Sequence, residues 1–322
     1  MQGGEWKGRR RPTRFRRFRR ERLALIVLSA ALIVFGLVKL IHYGADHAAS
    51  RRTSDALRQV YREETPEETV LLTASPAPAT PVPATPAPTV ARATPVFIAS
   101  PVPGLEAVAY PGNPGLTVGS RFKALRKQNR DIVGWLNIGD LLDEAVVQRD
   151  EVFYMDHDTL GNKNVNGAIF LDSGISLKTR PYTLILYGHN MKTGAMFGCL
   201  RNFENAAYYR RYPFITFDSM YEEGRYVIFA VGSVSTESHA RHYVDLFALT
   251  STDIRKRQTA IDALKAASVH TCVIDVRPED QLLILVTCVE KDEERRVVAA
   301  RRIRDGEDEK ELMELVERSR KR

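Results

Sequence analysis

Hydrophobic positions divide the chain into three zones. Residues 23–41 form one apolar run (LALIVLSAALIVFGLVKLI) in which Lys39 is the single charge. Residues 43–119 carry no long apolar run, and after Ser120 the apolar residues fall into short runs between turn residues. A helix needs about 20 apolar residues to cross a bilayer, which the first zone supplies. The last zone has the pattern of many short strands.

The short runs after Ser120 predict a mainly β domain. They are rich in β-branched and aromatic residues, and turn residues separate them. Inside this domain a short helix is predicted over 121–130, and the one strongly helical pattern lies over 251–267. Many strands with few helices favour a closed or nearly closed β-barrel. The predicted strands are 132–138, 144–148, 167–171, 182–187, 214–217, 225–233, 273–276, 281–287 and 296–301.

Composition shifts give the domain boundaries. We predict a basic arm over 1–22, a transmembrane anchor over 23–42, a spacer over 43–119, a folded domain over 120–304 and a charged C-terminal helix over 305–322. A helix around 54–64 is plausible within the spacer. Between Pro76 and Pro114 lie 11 of the 16 prolines, a composition that favours extended polyproline II over a packed core.

The excess positive charge lies in the N-terminal arm, where it indicates the orientation of the membrane span and says little about a ligand of the folded domain. Residues 1–22 hold nine arginines and Lys7 against Glu5 and Glu21, so the net charge of +7 belongs to this arm. Arginines before an apolar span keep their side in the cytoplasm, so the rest of the chain is expected outside at the cell membrane. A cleaved signal peptide and a buried helix are the alternatives. Nucleic-acid binding has little support.

Three cysteines leave at least one thiol outside any internal disulfide: Cys199, Cys272 and Cys288. Cys272 is expected to be structural. Cys199, ten residues after His189, is expected to be a small buried thiol, with a second functional thiol near the site as the alternative. No Cys-x-x-Cys pattern occurs, and no histidine stands at metal-ligand spacing from a cysteine, so no metal site and no cofactor are expected.

Candidate chemistry lies where buried-looking strands end. The run 281–287 is apolar almost throughout and is followed by Cys288, a polar segment (VEKDEER) and a second run that opens with Arg296. If these two strands pair antiparallel, Cys288 and Arg296 become near neighbours at one end of the sheet. The run 183–187 likewise ends just before His189. Thiolate, histidine and guanidinium suit nucleophilic acyl transfer. The alternative is that neither residue is catalytic, with Cys288 as a small core residue and His189 as a structural histidine.

A longer motif connects these residues to a known family. The segment 187–198 (YGHNMKTGAMFG) resembles the histidine motif of class B sortases, the membrane-anchored cysteine transpeptidases of Gram-positive bacteria. Val286-Thr287-Cys288 resembles their Thr-Cys motif, and Arg296-Val-Val is similar to their arginine strand. Segments 131–136, 161–162 and 167–172 also resemble the family in the expected order. The resemblance covers about 120–303 and implies an eight-stranded barrel with N-terminal helices and a helix between strands six and seven.

The resemblance implies a role for each matching position. Cys288 would attack the carbonyl of a threonine in a C-terminal sorting signal and form a thioester. His189 would protonate the departing amine, and Arg296 would stabilise the oxyanion. Tyr187, Val286 and Thr287 would contact substrate.

The acyl group would then pass to an amine of a peptidoglycan precursor or a pilin lysine. The sorting signal and the acceptor both stay open. Where many family members carry serine, this chain has Val286, and Arg295 competes with Arg296 because a shift of one residue reverses the face of a strand. A catalytically silent scaffold and a hydrolytic cysteine peptidase are the alternatives to a transpeptidase.

Overall fold

The computed structural model describes residues 14–63, 104–150, 152–288 and 294–322. For residues 14–23 and for Cys288 it describes the backbone alone. The start of the predicted basic arm, the central part of the Pro/Thr-rich segment and most of the predicted loop after Cys288 lie outside these ranges. Two units divide the chain, residues 1–52 and residues 53–322.

The first unit contains most of a single long helix, α1 (Arg14–Glu63). Its stretch Ala24–Glu63 includes an 18-residue window of mean hydropathy 2.7 and is long and apolar enough to cross a membrane. The apolar side chains of the predicted anchor are exposed along this helix, from Leu25 to Ile41. This is the pattern expected of a span whose surroundings are lipid.

The second unit is built on a closed barrel of eight strands within the described residues. The strands are β1 (Ile132–Ile138), β2 (Leu142–Val147), β3 (Ile169–Leu171), β4 (Thr183–Tyr187), β5 (Phe214–Ser219), β6 (Arg225–Ser235), β8 (Leu282–Cys288) and β9 (Glu294–Arg302). Their order around the barrel is β1-β2-β3-β4-β8-β9-β6-β5. Eight neighbouring pairs close the barrel, and among them β4 pairs parallel with β8 while β8 pairs antiparallel with β9.

Burial explains why the central strands read as unbroken apolar runs. Every side chain of β8 from Leu282 to Thr287 is buried, because one face meets the barrel interior and the other meets covering helices and loops. The predicted β-barrel is confirmed, and so is the helix between its sixth and seventh strands, α4 (Ile254–Ala267). Asp253 begins α4 by accepting hydrogen bonds from the backbone N–H groups of Arg255 and Lys256.

Short helices and one small sheet complete the second unit. They are α2 (Ser120–Gln128), α3 (Ala206–Arg211), α5 (Glu309–Glu317) and the pair β7 (His270–Thr271) with β10 (Arg320–Lys321). Helix α5 lies in the predicted charged tail and buries Leu312 and Val316. The strand predicted over 273–276 is wrong: in the described part of the chain no strand pairs with it. Ile274 and Val276 are buried, which explains the alternating pattern.

The structure differs from the boundary predicted at residue 120. The last turns of α1 already pack on the barrel, where Tyr61 stacks on Trp135 with ring centroids 4.2 Å apart and Leu57 is buried. After the undescribed segment, Leu105 donates a backbone hydrogen bond to the carbonyl of Thr252 (2.7 Å). Tyr110 is buried as well. Both ends of the Pro/Thr-rich segment therefore join stretches of chain that pack against the same domain.

Candidate active site

Three strand ends meet where the sequence placed its candidate residues. Tyr187, the last residue of β4, is the register partner of Val286 in the parallel strand β8. The backbone N–H of Gly188 adds one more bond, to the carbonyl of Val286 (3.2 Å). Parallel strands end at the same edge of a sheet, so His189 follows β4 at the edge where β8 ends at Cys288.

The antiparallel register assigns one arginine to the cysteine. Cys288 is the direct partner of Arg295, and Thr287 is the direct partner of Arg296. Directly paired residues share one face of a sheet, and successive residues alternate between faces. Register therefore groups Cys288 with Arg295, Val286 and Tyr187, and it groups Arg296 with Thr287.

Side-chain contacts agree with this assignment. Arg296 donates from Nε and Nη2 to one carboxylate oxygen of Glu204, at 3.1 and 3.0 Å, and its side chain is only 14% exposed. Arg295 instead lines the cleft that contains His189. The sequence prediction chose Arg296 because it directly precedes Val-Val. The register and the Glu204 ion pair favour Arg295.

The His189 ring is held by a backbone carbonyl. Its Nε2 lies 2.5 Å from the carbonyl oxygen of Met155, in the short turn Phe153–Met155. A carbonyl oxygen only accepts, so Nε2 carries the hydrogen and Nδ1 is the ring nitrogen left for proton exchange.

Gly167 makes this approach possible. Its φ is +60°, and a Cβ there would lie 2.6 Å from the Tyr154 carbonyl oxygen and 2.9 Å from His189 Cδ2. Any larger residue at 167 would press on both the turn and the imidazole, which gives the segment 167–172 a physical reason for its glycine.

The rest of the histidine motif folds tightly behind the ring. The backbone N–H of Phe197 donates to the carbonyl of His189 (3.0 Å), and Asn190 forms a bridge with Met196. A Cβ on Gly198 would collide with the Met191 carbonyl. The glycines and the Asn-Met pair of the motif thus build the loop that carries His189.

These elements enclose a cleft of about 310 Å³, which we call the catalytic cleft. Two exposed apolar side chains flank it, Phe247 (63% exposed) and Met155 (43% exposed). Isolated apolar side chains at the rim of a cleft suit contact with a substrate chain. Its lining comprises Met155, Phe170, Asp172, Tyr187, Gly188, His189, Phe247, Val286, Thr287 and Arg295.

Comparison with known proteins decides the family. No protein-family model matches this chain. Sortase B of Listeria monocytogenes is 31% identical over 181 residues, which cover 55% of this chain and 71% of that protein. The chain belongs to the sortase B family.

Solved sortase B structures agree with the barrel. The Staphylococcus aureus sortase B–substrate complex is 27% identical, with a TM-score of 0.51 over 59% of this chain and 87% of that one. A Bacillus anthracis protein described as similar to sortase B shares the fold, at 22% identity and a TM-score of 0.56 over 80% of this chain and 96% of that one. The enzyme is therefore a sortase-type cysteine transpeptidase, a class that anchors proteins to the cell wall.

Sequence reasoning missed several residues of the sortase cleft. Asp172 closes a segment that resembles the family, but no role was attached to it. It is 6% exposed, and it accepts hydrogen bonds from the Gly174 backbone N–H (2.9 Å) and the Tyr187 hydroxyl (3.3 Å). Met155 and Phe247 are single apolar residues in polar stretches, a signal that sequence alone does not separate from ordinary surface residues.

The two other cysteines lie apart from the cleft lining. Cys199 is 6% exposed, and burial raises the pKa of its thiol to about 11. The Sγ atom of Cys272 lies 3.1 Å from the Tyr209 hydroxyl. Among the described residues, no group of three or more His, Cys, Asp or Glu side chains is arranged to hold a metal ion.

Proposed function

We propose that this sortase cleaves a C-terminal sorting signal after a threonine and joins the released carbonyl to an amine. The observation that carries the proposal is the shared register of Tyr187, Val286, Cys288 and Arg295 beside His189. It brings the three residue types that acyl transfer needs to one end of the barrel.

In the first half-reaction, the Cys288 thiolate attacks the threonine carbonyl carbon and forms a C–S bond. A guanidinium stabilises the oxyanion that develops on the carbonyl oxygen. We assign this role to Arg295, with Arg296, the residue predicted from sequence, as the competing choice. The C–N bond breaks as His189 donates a proton from Nδ1 to the leaving amine.

The second half-reaction reverses these steps with a new amine. The incoming amine loses a proton to His189 and attacks the thioester, and Cys288 leaves as thiolate. One peptide bond replaces another, so the exchange needs no energy cofactor. The S. aureus sortase B structures include a substrate complex and a complex with Gly3, which supports a peptide substrate and an amine acceptor here. A peptidoglycan precursor peptide and a pilin lysine are the two candidate acceptors.

Substrate contacts are proposed for the predicted residues Tyr187, Val286 and Thr287, all of which line the catalytic cleft. The Thr287 hydroxyl oxygen is buried and has no hydrogen-bond partner among the described residues. We further propose that α1 anchors the enzyme in the cytoplasmic membrane with its arginine-rich end inside the cell. The length and hydropathy of α1 support a span.

The test is cleavage of threonine-containing signal peptides with and without a glycine acceptor. Cys288→Ala and His189→Ala are expected to remove both cleavage and transfer. Cys199→Ala serves as the matched control and is expected to retain activity, because its buried thiol stays protonated at neutral pH. Full activity of Cys288→Ala would refute the proposal. Free acid as the sole product in the presence of the acceptor would favour a hydrolytic peptidase.

A further inference from the structure

A second cleft opens beside the catalytic cleft, and we call it the outer cleft. Its volume is about 490 Å³. Asp172 and Phe247 line both clefts, so the two clefts adjoin at these side chains. The outer cleft is rich in hydroxyl groups, which suit hydrogen bonding to an extended polypeptide. They belong to Ser173, Ser176, Thr179 and Thr252, whereas the hydroxyls of Tyr182, Thr183 and Thr250 already donate to backbone carbonyls of the protein.

The lining of the outer cleft has a net charge close to zero. Asp172 is the one carboxylate among its described lining residues, and Arg180 is the one guanidinium. Arg180 already donates to both carboxylate oxygens of Glu222, at 2.8 and 3.1 Å. The cleft therefore favours a polar chain over a strongly charged one.

The walls of the outer cleft are fastened to each other. Leu105 donates its backbone N–H to the Thr252 carbonyl (2.7 Å), and the Tyr182 hydroxyl donates to the Glu106 carbonyl (2.8 Å). The Thr183 hydroxyl donates to the Leu249 carbonyl (2.6 Å), below the loop that carries Phe247. A cleft held in this way is pre-formed, so a ligand meets a smaller ordering penalty on binding.

The direction of β4 indicates which part of a substrate would reach this cleft. The outer cleft contains residues 181–183 at the start of β4, and the catalytic cleft contains residues 187–189 beyond its end. Strand geometry separates Thr183 from Tyr187 by about 13 Å. In the proposed reaction His189 serves the leaving amine, and an acyl side that runs the opposite way along β4 reaches the outer cleft.

We propose that the outer cleft binds the polar polypeptide segment that precedes the sorting signal in substrate proteins. An extended chain advances about 3.3 Å per residue, so the segment begins about four residues before the scissile threonine. This inference rests on the proposed function, because it takes the catalytic cleft to hold the threonine. It adds a recognition site outside the signal itself.

The first experiment measures peptide binding to the full-length Cys288→Ala protein in detergent. The core probe is the shortest threonine-containing peptide that acylates the wild-type enzyme in a library. We compare it with the same peptide extended by six polar residues before the core or after it. Two or three added hydrogen bonds predict binding about tenfold tighter for the N-terminal extension. Equal dissociation constants for core and N-terminally extended peptides would overturn the proposal, as would a benefit confined to the C-terminal extension.

The second experiment fills the outer cleft. Thr179 is exposed and lines it, so Thr179→Trp is expected to remove the advantage of the N-terminal extension. Lys178→Trp is the matched control, because the neighbouring residue is exposed but lies outside the lining, and it should keep the full advantage. Ala107→Trp blocks the opposite wall and replaces Thr179→Trp if that variant fails to fold. An advantage that survives both blocking substitutions contradicts the proposal.

The outcomes separate this inference from the proposed function. If no peptide acylates the wild-type enzyme, both proposals fall together. If the core peptide acylates Cys288 and the extension changes neither binding nor turnover, the transpeptidase proposal stands and the outer-cleft proposal falls.

Discussion

At the residue scale, the choice between two adjacent arginines depends on strand pairing. The sequence offers Arg295 and Arg296 side by side, and its resemblance to the family motif favours Arg296, which directly precedes Val-Val. Pairing of Cys288 with Arg295 supports the proposal of Arg295, because alternate residues of a strand lie on opposite faces. The choice between the two arginines needs the register of β8 against β9. A single sequence does not specify that register, because the polar loop between the two strands does not fix where they begin to pair.

The arginine assignment predicts unequal effects of two matched substitutions. Arg295→Lys is expected to lower kcat/KM about 100-fold, since a point charge cannot replace a fork of donors at the oxyanion. Arg296→Lys should change kcat/KM little and act mainly on stability, through the Glu204 ion pair. Steady-state kinetics with one signal peptide measures both. The reverse ranking would restore Arg296 as the catalytic residue.

Gly167 gives a second prediction at this scale. Gly167→Ala places a methyl group against His189 and strains a backbone with φ of +60°. Displacement of the imidazole by a fraction of an ångström is expected to lower kcat at least about tenfold. Gly194→Ala is the control, because its φ is also positive but a Cβ there meets no atom within 4 Å. Equal losses for the two variants would show that strain alone, and not contact with His189, is responsible.

At the element scale, most strands were predictable, but of their pairings the sequence suggested only the antiparallel one between 281–287 and 296–301. Buried apolar runs revealed β4 and β8 because they are covered on both faces, and α4 was visible from its apolar spacing. The strand predicted over 273–276 was wrong because burial alone does not require a strand. Ile274 and Val276 are buried there without belonging to one. The candidate residues His189 and Cys288 could be found because each follows such a run. Phe247 and Met155 could not, because nothing local marks them.

The last turns of α1 predict a pH effect on stability. Glu144 in β2 accepts a hydrogen bond from Ser54 (2.6 Å), and burial raises its pKa from 4.5 to about 7. The unfolded chain releases this proton near pH 4.5 and the folded chain near pH 7, so stability falls as pH rises across that interval. The Ser54 hydrogen bond and the charge of Arg58 both lower the pKa of Glu144 and so limit the shift.

Glu144→Gln should remove that slope. The variant is expected to unfold at a higher temperature than wild type at pH 8, where the buried carboxylate is charged, and to lose this advantage near pH 5. Thermal unfolding monitored by circular dichroism across pH 4.5–8 measures the difference. An identical pH dependence for the two proteins would contradict the assignment.

At the scale of the whole molecule, the catalytic domain begins before its predicted start at residue 120. Residues 53–63 cover Trp135, and residues 104–110 reach Thr252 and the loop before β4. The Pro/Thr-rich segment therefore connects two stretches of one domain. The sequence suggested a spacer because its composition excludes a core, but composition carries no information about where its flanks dock.

Truncation tests this description. A protein that starts at Thr53 is expected to fold with native stability, and one that starts at Ser120 should lose at least about 3 kcal/mol, since Leu57, Tyr61 and Tyr110 are removed from the barrel surface. Urea unfolding of both proteins measures the loss. Equal free energies of unfolding would mean that these contacts contribute nothing to the domain.

The central claim is that Cys288 carries a transferable acyl group, and mass spectrometry of the intact protein tests it most directly. The protein that starts at Thr53 is mixed with a threonine-containing signal peptide, quenched in acid and digested to locate the adduct. We predict a thioester on Cys288 that disappears when a glycine acceptor is added, with the peptide–glycine product appearing in equal amount. A protein that processes the peptide without an adduct on Cys288, or with an adduct on Cys199 or Cys272 instead, would contradict the account.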